Sequence, residues 1–158
     1  MLSVRSHQNV DTYLLGSYYI SVEWITIVLR LAVSIVIGGL VGLERELEHK
    51  PAGLRTIILV CLGSTIFMLI GLELGLASSE LGRIVAGAVT GIGFLGAGAI
   101  IRARGEVYGL TTAATIWLAS GLGLAIGAGY YVLAIIACIS VLIVLRILGI
   151  VERIISKK

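Results

Sequence analysis

The feature that most constrains this chain is a series of apolar runs, each about as long as a bilayer is thick. Three runs lie at about 24–43, 54–72 and 83–101, and about 20 helical residues span roughly 30 Å, which matches a hydrocarbon core. From 110 to 150 the sequence is almost continuously apolar. One helix of that length would measure about 60 Å, so the segment must fold back. We predict the turn at Gly127–Tyr131, because glycine relaxes the backbone and tyrosine favours the membrane interface.

These runs predict an all-α membrane protein, a bundle of about five transmembrane helices. Hydrophobic residues make up 58% of the chain and charged residues only 13%, whereas a soluble domain carries about a quarter charged residues. The predicted organisation is an N-terminal segment outside the membrane at 1–23, a transmembrane domain at 24–150 and a short basic tail at 151–158. The spans of that domain are 24–43, 54–72, 83–101, 110–126 and 131–150.

The basic residues gather at the helix ends. An N-terminus outside and a cytoplasmic C-terminus put nine of them on the inner side, against Arg5, Arg30 and Arg83 on the outer side. The inner set is Arg45, Lys50, Arg55, Arg102, Arg104, Arg146, Arg153, Lys157 and Lys158. This bias predicts that orientation by the positive-inside rule. Because no soluble basic face exists, we expect no binding of nucleic acid. The N-terminus lacks the apolar region of a cleavable signal, so the first span is expected to stay as an anchor.

Glycines fall inside the apolar runs, where small residues let transmembrane helices approach closely. The residues that we predict to serve helix packing are Gly38, Gly42, Gly87, Gly91, Gly93, Gly96 and Gly98, and Gly123 and Gly127 form a further pair at the same four-residue spacing. These pairs fit either packing within the chain or a seam between two copies of it. Both interpretations remain open.

Gly91-x-Gly93-x-x-Gly96 matches the dinucleotide-binding fingerprint letter for letter. That fingerprint has meaning only between a strand and a helix, with an acidic residue about 20 positions further on. Here it lies inside an apolar run and Glu106 follows too soon. The cofactor interpretation is therefore rejected. The glycines indicate either a tightly packed helix or a broken helix that lines a polar cavity.

Charge is concentrated after the first run. Glu44 and Glu48 lie one helical turn apart, where Arg45 and Arg55 could neutralise them. A solvated charged end is the plainer interpretation, and a carboxylate pair holding a hydrated divalent cation is the alternative. We also predict that Glu44 pairs with Arg55 across the hairpin of the first two spans. His49, without another metal ligand nearby, is expected to be exposed.

Three further residues bear on chemistry. Arg30 lies inside the first span, where a charge must snorkel, find a partner or face a cavity. Cys61 and Cys138 lie among aliphatic residues and are expected to be small core residues. No nucleophile, base and orienting group can be assembled, and no set of metal ligands. We therefore expect no enzyme, no catalytic residues and no cofactor.

Four ordered motifs resemble the MgtC/SapB family of bacterial inner-membrane proteins over about Leu29 to Tyr131. They are Gly39-x-x-Gly42-x-Glu44-Arg45, Lys50-Pro51-Ala52-Gly53-Leu54-Arg55-Thr56, Gly91-Ile92-Gly93-Phe94-Leu95-Gly96-Ala97-Gly98 and Gly109-Leu110-Thr111-Thr112-Ala113-Ala114, with Trp117 following. The resemblance implies a multi-pass protein of the inner (plasma) membrane. It also implies a polar functional motif formed by Glu44, Arg45, Arg55, Thr56, Thr111 and Thr112.

The same resemblance implies a function. The best-known members are virulence factors tied to low magnesium, and they act by restraining the F-type ATP synthase. This predicts a non-enzymatic regulator whose partners are the bilayer, another membrane protein such as that synthase, or a second copy of the chain. A small transporter or channel for magnesium or protons is the alternative. Because the chain ends at Lys158, we expect only the membrane core of those members, without their soluble C-terminal domain.

Overall fold

The structure, a computed structural model, describes residues 24–103 and 105–155. The helices are α1 (Trp24–Leu47), α2 (Leu54–Glu73), α3 (Ser78–Gly98), α4 (Leu110–Gly127), α5 (Tyr131–Ile143) and α6 (Gly149–Ile155). A π-helical segment, Val144–Leu148, joins α5 to α6. Five helices are long and apolar enough to cross a membrane, the fifth being Tyr131–Val151. The predicted all-α bundle of about five spans is therefore confirmed. The N-terminal segment 1–23 and the end of the tail, 156–158, lie outside the described residues.

The third helix differs from its predicted span of 83–101. It begins at Ser78, because the Glu80 carboxylate accepts a hydrogen bond from the backbone amide of Ala77 at 3.2 Å and caps the polar first turn. It ends at Gly98, since the chain then forms a short antiparallel hairpin of β1 (Ile101–Ala103) and β2 (Glu106–Tyr108). This hairpin is not predicted from the sequence, because Ile100 and Ile101 extend the apolar run past the end of the helix.

The core lies where α2 packs against α1 and α4, and α4 is the most buried of the spans. On α1, a Cβ at Gly38 would lie 3.2 Å from the Cα of Ile58, and one at Gly42 would lie 2.9 Å from the Cα of Leu54. Helix backbones therefore meet at these two glycines, as small residues allow in lipid. Cys61 and Cys138 are free and buried, so the prediction of core cysteines is confirmed.

The α2–α4 interface combines close backbone approach with hydrogen bonds. A Cβ at Gly123 would lie 2.1 Å from the carbonyl oxygen of Cys61. The hydroxyls of Ser64 and Ser120 lie 2.8 Å apart, and the hydroxyl of Thr65 donates to the carbonyl oxygen of Gly123 at 2.9 Å. Hydrogen bonds between helices add to van der Waals packing where water is absent. This interface fixes the centre of the bundle.

The predicted turn between the last two spans is confirmed, since α4 ends at Gly127 and α5 begins at Tyr131. The guanidinium of Arg30 donates to the carbonyl oxygen of Gly127 at 2.5 Å. Arg30 therefore has a partner, and it places a positive charge at the carboxyl end of α4, where the helix dipole is negative. Of the three options for this residue, the structure selects pairing.

Helix α3 packs against α4 and α2 at the edge of this core and is the least buried of the spans. A Cβ at Gly87, Gly91, Gly93 or Gly98 would meet no heavy atom within 4 Å, and Gly96 is the only buried residue of the helix. The helix is unbroken from Ser78 to Gly98, so the alternative of a broken helix does not hold. Packing within the chain does not explain these four glycines, although it does explain Gly38 and Gly42.

The orientation of the bundle in the membrane stays a prediction. In a background without Cys61 and Cys138, we expect Ser79→Cys, on the exposed first turn of α3, to react with an impermeant thiol reagent in intact cells. His49→Cys, on the exposed turn after α1, should react only after permeabilisation, because the positive-inside rule places that end in the cytoplasm. For both variants, the fraction of protein that carries the label is measured on denaturing gels. The reverse pattern would invert the topology.

Candidate functional site

The polar motif residues gather at one end of the bundle, where α1 ends and α2 and α4 begin. We call this the Glu44 end. Glu46 accepts a hydrogen bond from the backbone amide of Leu54 at 2.9 Å, so its carboxylate caps the first turn of α2. A Cβ at Gly53 would lie 1.8 Å from that carboxylate oxygen. The glycine of the Lys50–Thr56 motif therefore makes room for the cap.

The start of α4 also needs its glycine. Gly109 has φ of +87°, a left-handed conformation that favours glycine, and a Cβ there would lie 2.0 Å from the carbonyl oxygen of Ala99. The N-cap residue, Gly109, has no side chain that could cap this helix, and the first backbone bond runs from the amide of Ala113 to the oxygen of Gly109 at 2.9 Å. The amides of the first turn thus point out of the helix without an acceptor inside it.

Glu44 and Arg45 form a buried ion pair beside these two helix starts. Their exposed fractions are 4% and 3%. Nη2 of Arg45 donates to Oε1 of Glu44 at 2.7 Å, and Nε donates to the second carboxylate oxygen. The expectation of a solvated charged end is therefore wrong for these two residues, although the prediction that His49 is exposed is confirmed.

The predicted pair between Glu44 and Arg55 does not form, because both oxygens of Glu44 are taken by Arg45 and Arg55 is exposed. The same geometry argues against Glu44 as a ligand of a divalent cation. Within the described ranges, 24–103 and 105–155, no group of three or more His, Cys, Asp and Glu side chains is placed to hold a metal ion.

A cleft of about 770 Å³ opens at this end, and we call it the Arg45 cleft. It brings together residues from α1, the turn after α1, the hairpin, α4, the π-helical segment and the start of α6. Its polar side comes from the end of α1, the following turn and the start of α4, and its apolar side from the hairpin and the π-helical segment. The lining residues are Arg45, Glu48, Lys50, Pro51, Val107, Tyr108, Gly109, Leu110, Thr111, Thr112, Val144, Leu145, Leu148 and Gly149.

Three of the six predicted motif residues line this cleft, namely Arg45, Thr111 and Thr112. Glu44 lies behind Arg45, whereas Arg55 is exposed and Thr56 half-buried on α2, and neither lines the cleft. Thr112 is only 3% exposed, and its hydroxyl has no hydrogen-bond partner in the part of the chain that the structure describes. The structure thus divides the motif between a cleft and the adjacent helix.

The sequence analysis missed several residues of the cleft. Lys50 was counted only as a topogenic charge, and Tyr108 was not singled out. The hydroxyl of Tyr108 donates to the carboxylate of Glu106, and this hydrogen bond raises the pKa of Tyr108 above its usual value. The π-helical turn at Val144–Leu148 has no simple sequence signal, although such turns often lie at functional sites.

The sequence of the chain is similar to those of known proteins. The family model described as "MgtC family" matches residues 31–154. The chain is 39% identical over 127 residues to "Putative magnesium transporter YhiD" of Escherichia coli (strain K12), covering 76% of this chain and 59% of that protein. It is 39% identical over 148 residues to "Protein SapB" of Bacillus subtilis, covering 89% and 62%.

A third relative is "Protein MgtC" of Salmonella typhimurium (strain LT2), with 43% identity over 115 residues, which cover 73% of this chain and 49% of that protein. The chain thus spans about half to three fifths of the length of these curated relatives. No solved structure matches it.

Proposed function

We propose that this chain, which belongs to the MgtC family, is a non-enzymatic regulator of the bacterial inner membrane. It acts by binding another membrane protein. Its effect is linked to magnesium limitation and to membrane energetics. The F-type ATP synthase is the partner that we propose, and a second copy of the chain is the alternative partner.

The observation that carries this proposal is the exposed surface of α3. This helix is the least buried of the five spans, and its glycines at 87 and 91 have open space before them. They lie along an apolar groove of about 660 Å³ between α2 and α3, with Ser64 and Ser120 at its base. Because small residues mark helix–helix contacts in lipid, a groove of this kind fits a transmembrane helix of a partner.

Transport is the alternative, and the printed name "Putative magnesium transporter YhiD" of one relative favours it. A path for ions needs polar groups that can exchange partners along the bilayer. Two charged residues of the described spans argue against such a path, since Arg30 donates to the carboxyl end of α4 and Glu44 accepts from Arg45. The hydroxyls of Ser64, Thr65 and Ser120 likewise bond to one another or to backbone oxygen.

The experiment distinguishes a chain that acts by binding a partner from one that transports ions. In cells short of magnesium, expression of the chain should change ATP level or membrane potential, and Gly91→Leu should abolish that effect because the larger side chain blocks the groove. Gly121→Leu is the matched control, since Gly121 is also an exposed glycine with open space around it, but on α4. Both variants should reach the membrane in equal amounts.

The purified protein in liposomes should give no magnesium, potassium or proton flux above empty vesicles under an imposed gradient. Saturable flux that is lost on changing Arg30 or Glu44 would replace the regulator with a transporter. An unchanged effect of Gly91→Leu in cells would remove α3 as the contact surface. Co-purification in mild detergent then distinguishes the synthase from a second copy.

A further inference from the structure

We propose that the Arg45 cleft is a binding site for a phospholipid, with the lipid phosphate at the start of α4 and one acyl chain in the groove between α4 and α5. This site is independent of the proposed contact surface on α3, because it lies at the Glu44 end and shares no lining residue with the α2–α3 groove.

Unused hydrogen-bond donors surround the polar part of the cleft. The first turn of α4 presents backbone amides that its N-cap residue, Gly109, has no side chain to cap, and such a helix start attracts anions. Thr112 lines the cleft and is only 3% exposed. Its hydroxyl has no hydrogen-bond partner among the described residues. A bound phosphate oxygen would satisfy both groups at once.

Two other helix starts of the bundle are capped by a carboxylate. Glu46 places a carboxylate at the start of α2, and Glu80 does so at the start of α3. The first turn of α4 contains no acidic residue. An anion from outside the chain would take the place that these carboxylates have at α2 and α3.

The charged residues of the cleft determine which kind of anion can bind there. Arg45 and Lys50 bring two positive charges, and Glu48 brings one negative charge, which leaves one net positive charge on the lining. Glu44, bonded to Arg45 from behind, weakens that field further. With Glu44 included the four charges cancel, so a phosphodiester, which carries a single negative charge, is the phosphate anion that the two carboxylates repel least. A nucleoside triphosphate or another polyphosphate would be repelled by the two carboxylates.

The apolar part of the site continues into the bundle. A groove of about 270 Å³ between α4 and α5 shares Thr111, Val144 and Leu145 with the Arg45 cleft, so the two spaces adjoin. Ala114 and Leu118 line it further along α4. A polar cleft that leads into an apolar groove between two spans has the shape of a phospholipid, with the headgroup at the interface and an acyl chain beside the helices.

The experiment compares two lipids with identical acyl chains. The purified full chain in mild detergent is incubated with phosphatidylglycerol or with the diacylglycerol that lacks its phosphate, and bound lipid is counted by native mass spectrometry. We expect one phosphatidylglycerol to be retained and the diacylglycerol to be lost. Thr112→Val and Lys50→Gln should each raise the dissociation constant by about tenfold, the loss expected when one hydrogen bond to a charged group is removed.

Two control variants test whether a loss of lipid binding is specific to the cleft. Thr90→Val removes a hydroxyl on α3 that is bonded only to its own helix, and Arg102→Gln removes an exposed cation of the hairpin. Neither should change retention. Ala114→Phe should fill the groove and weaken binding of phosphatidylglycerol, and the thermal unfolding of each variant shows that it is folded.

The possible results decide between the sources of phosphate. Equal retention of the two lipids would overturn the phosphate site, and equal retention by the Thr112 and Thr90 variants would overturn its location. If inorganic phosphate displaces phosphatidylglycerol at similar concentration, the cleft binds a free anion and the lipid proposal fails. If Ala114→Phe leaves lipid binding intact, the acyl chain does not lie in the α4–α5 groove and that part of the proposal fails.

Discussion

Replacing Gly123 with alanine should lower the free energy of unfolding in detergent by about 3 kcal/mol or more, the upper range for an overpacked core. The added methyl group would lie 2.1 Å from the carbonyl oxygen of Cys61 and 2.9 Å from the Cβ of Ser64. Two helix backbones cannot yield locally to a contact of this kind, so α4 must move away from α2. That movement would also stretch the hydrogen bonds that Ser64 and Thr65 make to α4.

Gly121→Ala is the matched control for this prediction. It lies on the same helix two residues earlier, is exposed and has open space where the methyl group would go. Alanine favours helix over glycine by about 1 kcal/mol in water, so this variant should be at least as stable as the native chain. Thermal unfolding followed by tryptophan fluorescence measures both. If the two variants unfold at the same temperature, the α2–α4 interface is looser than described.

The second large effect concerns the Glu44–Arg45 pair. Glu44→Met or Arg45→Met alone should cost about 3–5 kcal/mol, because each leaves one buried charge without its partner. The double variant should recover most of that loss, since a buried ion pair replaced by apolar side chains of similar volume is often close to neutral. Both native residues are nearly inaccessible to solvent, which is why the single changes should be so costly.

A double-mutant cycle measures this coupling from the unfolding of the four proteins in detergent. Arg55→Met is the control, because it removes an exposed cation nearby and should change stability by no more than about 0.5 kcal/mol. Charge reversal at Arg55 should also fail to rescue Glu44→Arg. Losses that simply add in the double variant would show that the two side chains do not stabilise each other.

This pair shows where reasoning from sequence fails. Neighbouring residues on a helix do not normally face each other, so the sequence analysis paired Glu44 with Arg55 across the hairpin. At the end of α1, however, the side chains of Glu44 and Arg45 turn toward each other and are covered by the surrounding elements. Burial from all sides depends on the packing of several helices, and no local pattern contains it.

The glycines divide in the same way. Their spacing is equal at Gly38 and Gly42 and at Gly87 and Gly91, so the sequence treats the two pairs alike. Only the first pair lies against another helix, whereas the second faces open space. The spacing of the glycines predicts that a helix has a face of small residues. It does not state which neighbour, if any, covers that face.

The sequence by itself determined the number of spans, the turn at Gly127–Tyr131 and the family, because the length of an apolar run and the order of motifs are properties of the chain alone. The tertiary structure decided what those motifs build. It selected Gly127 as the partner of Arg30, joined Arg45 to Thr112 in one cleft and left α3 exposed. These outcomes depend on how helices distant in sequence pack together, and packing of that kind has no periodic signal in the sequence.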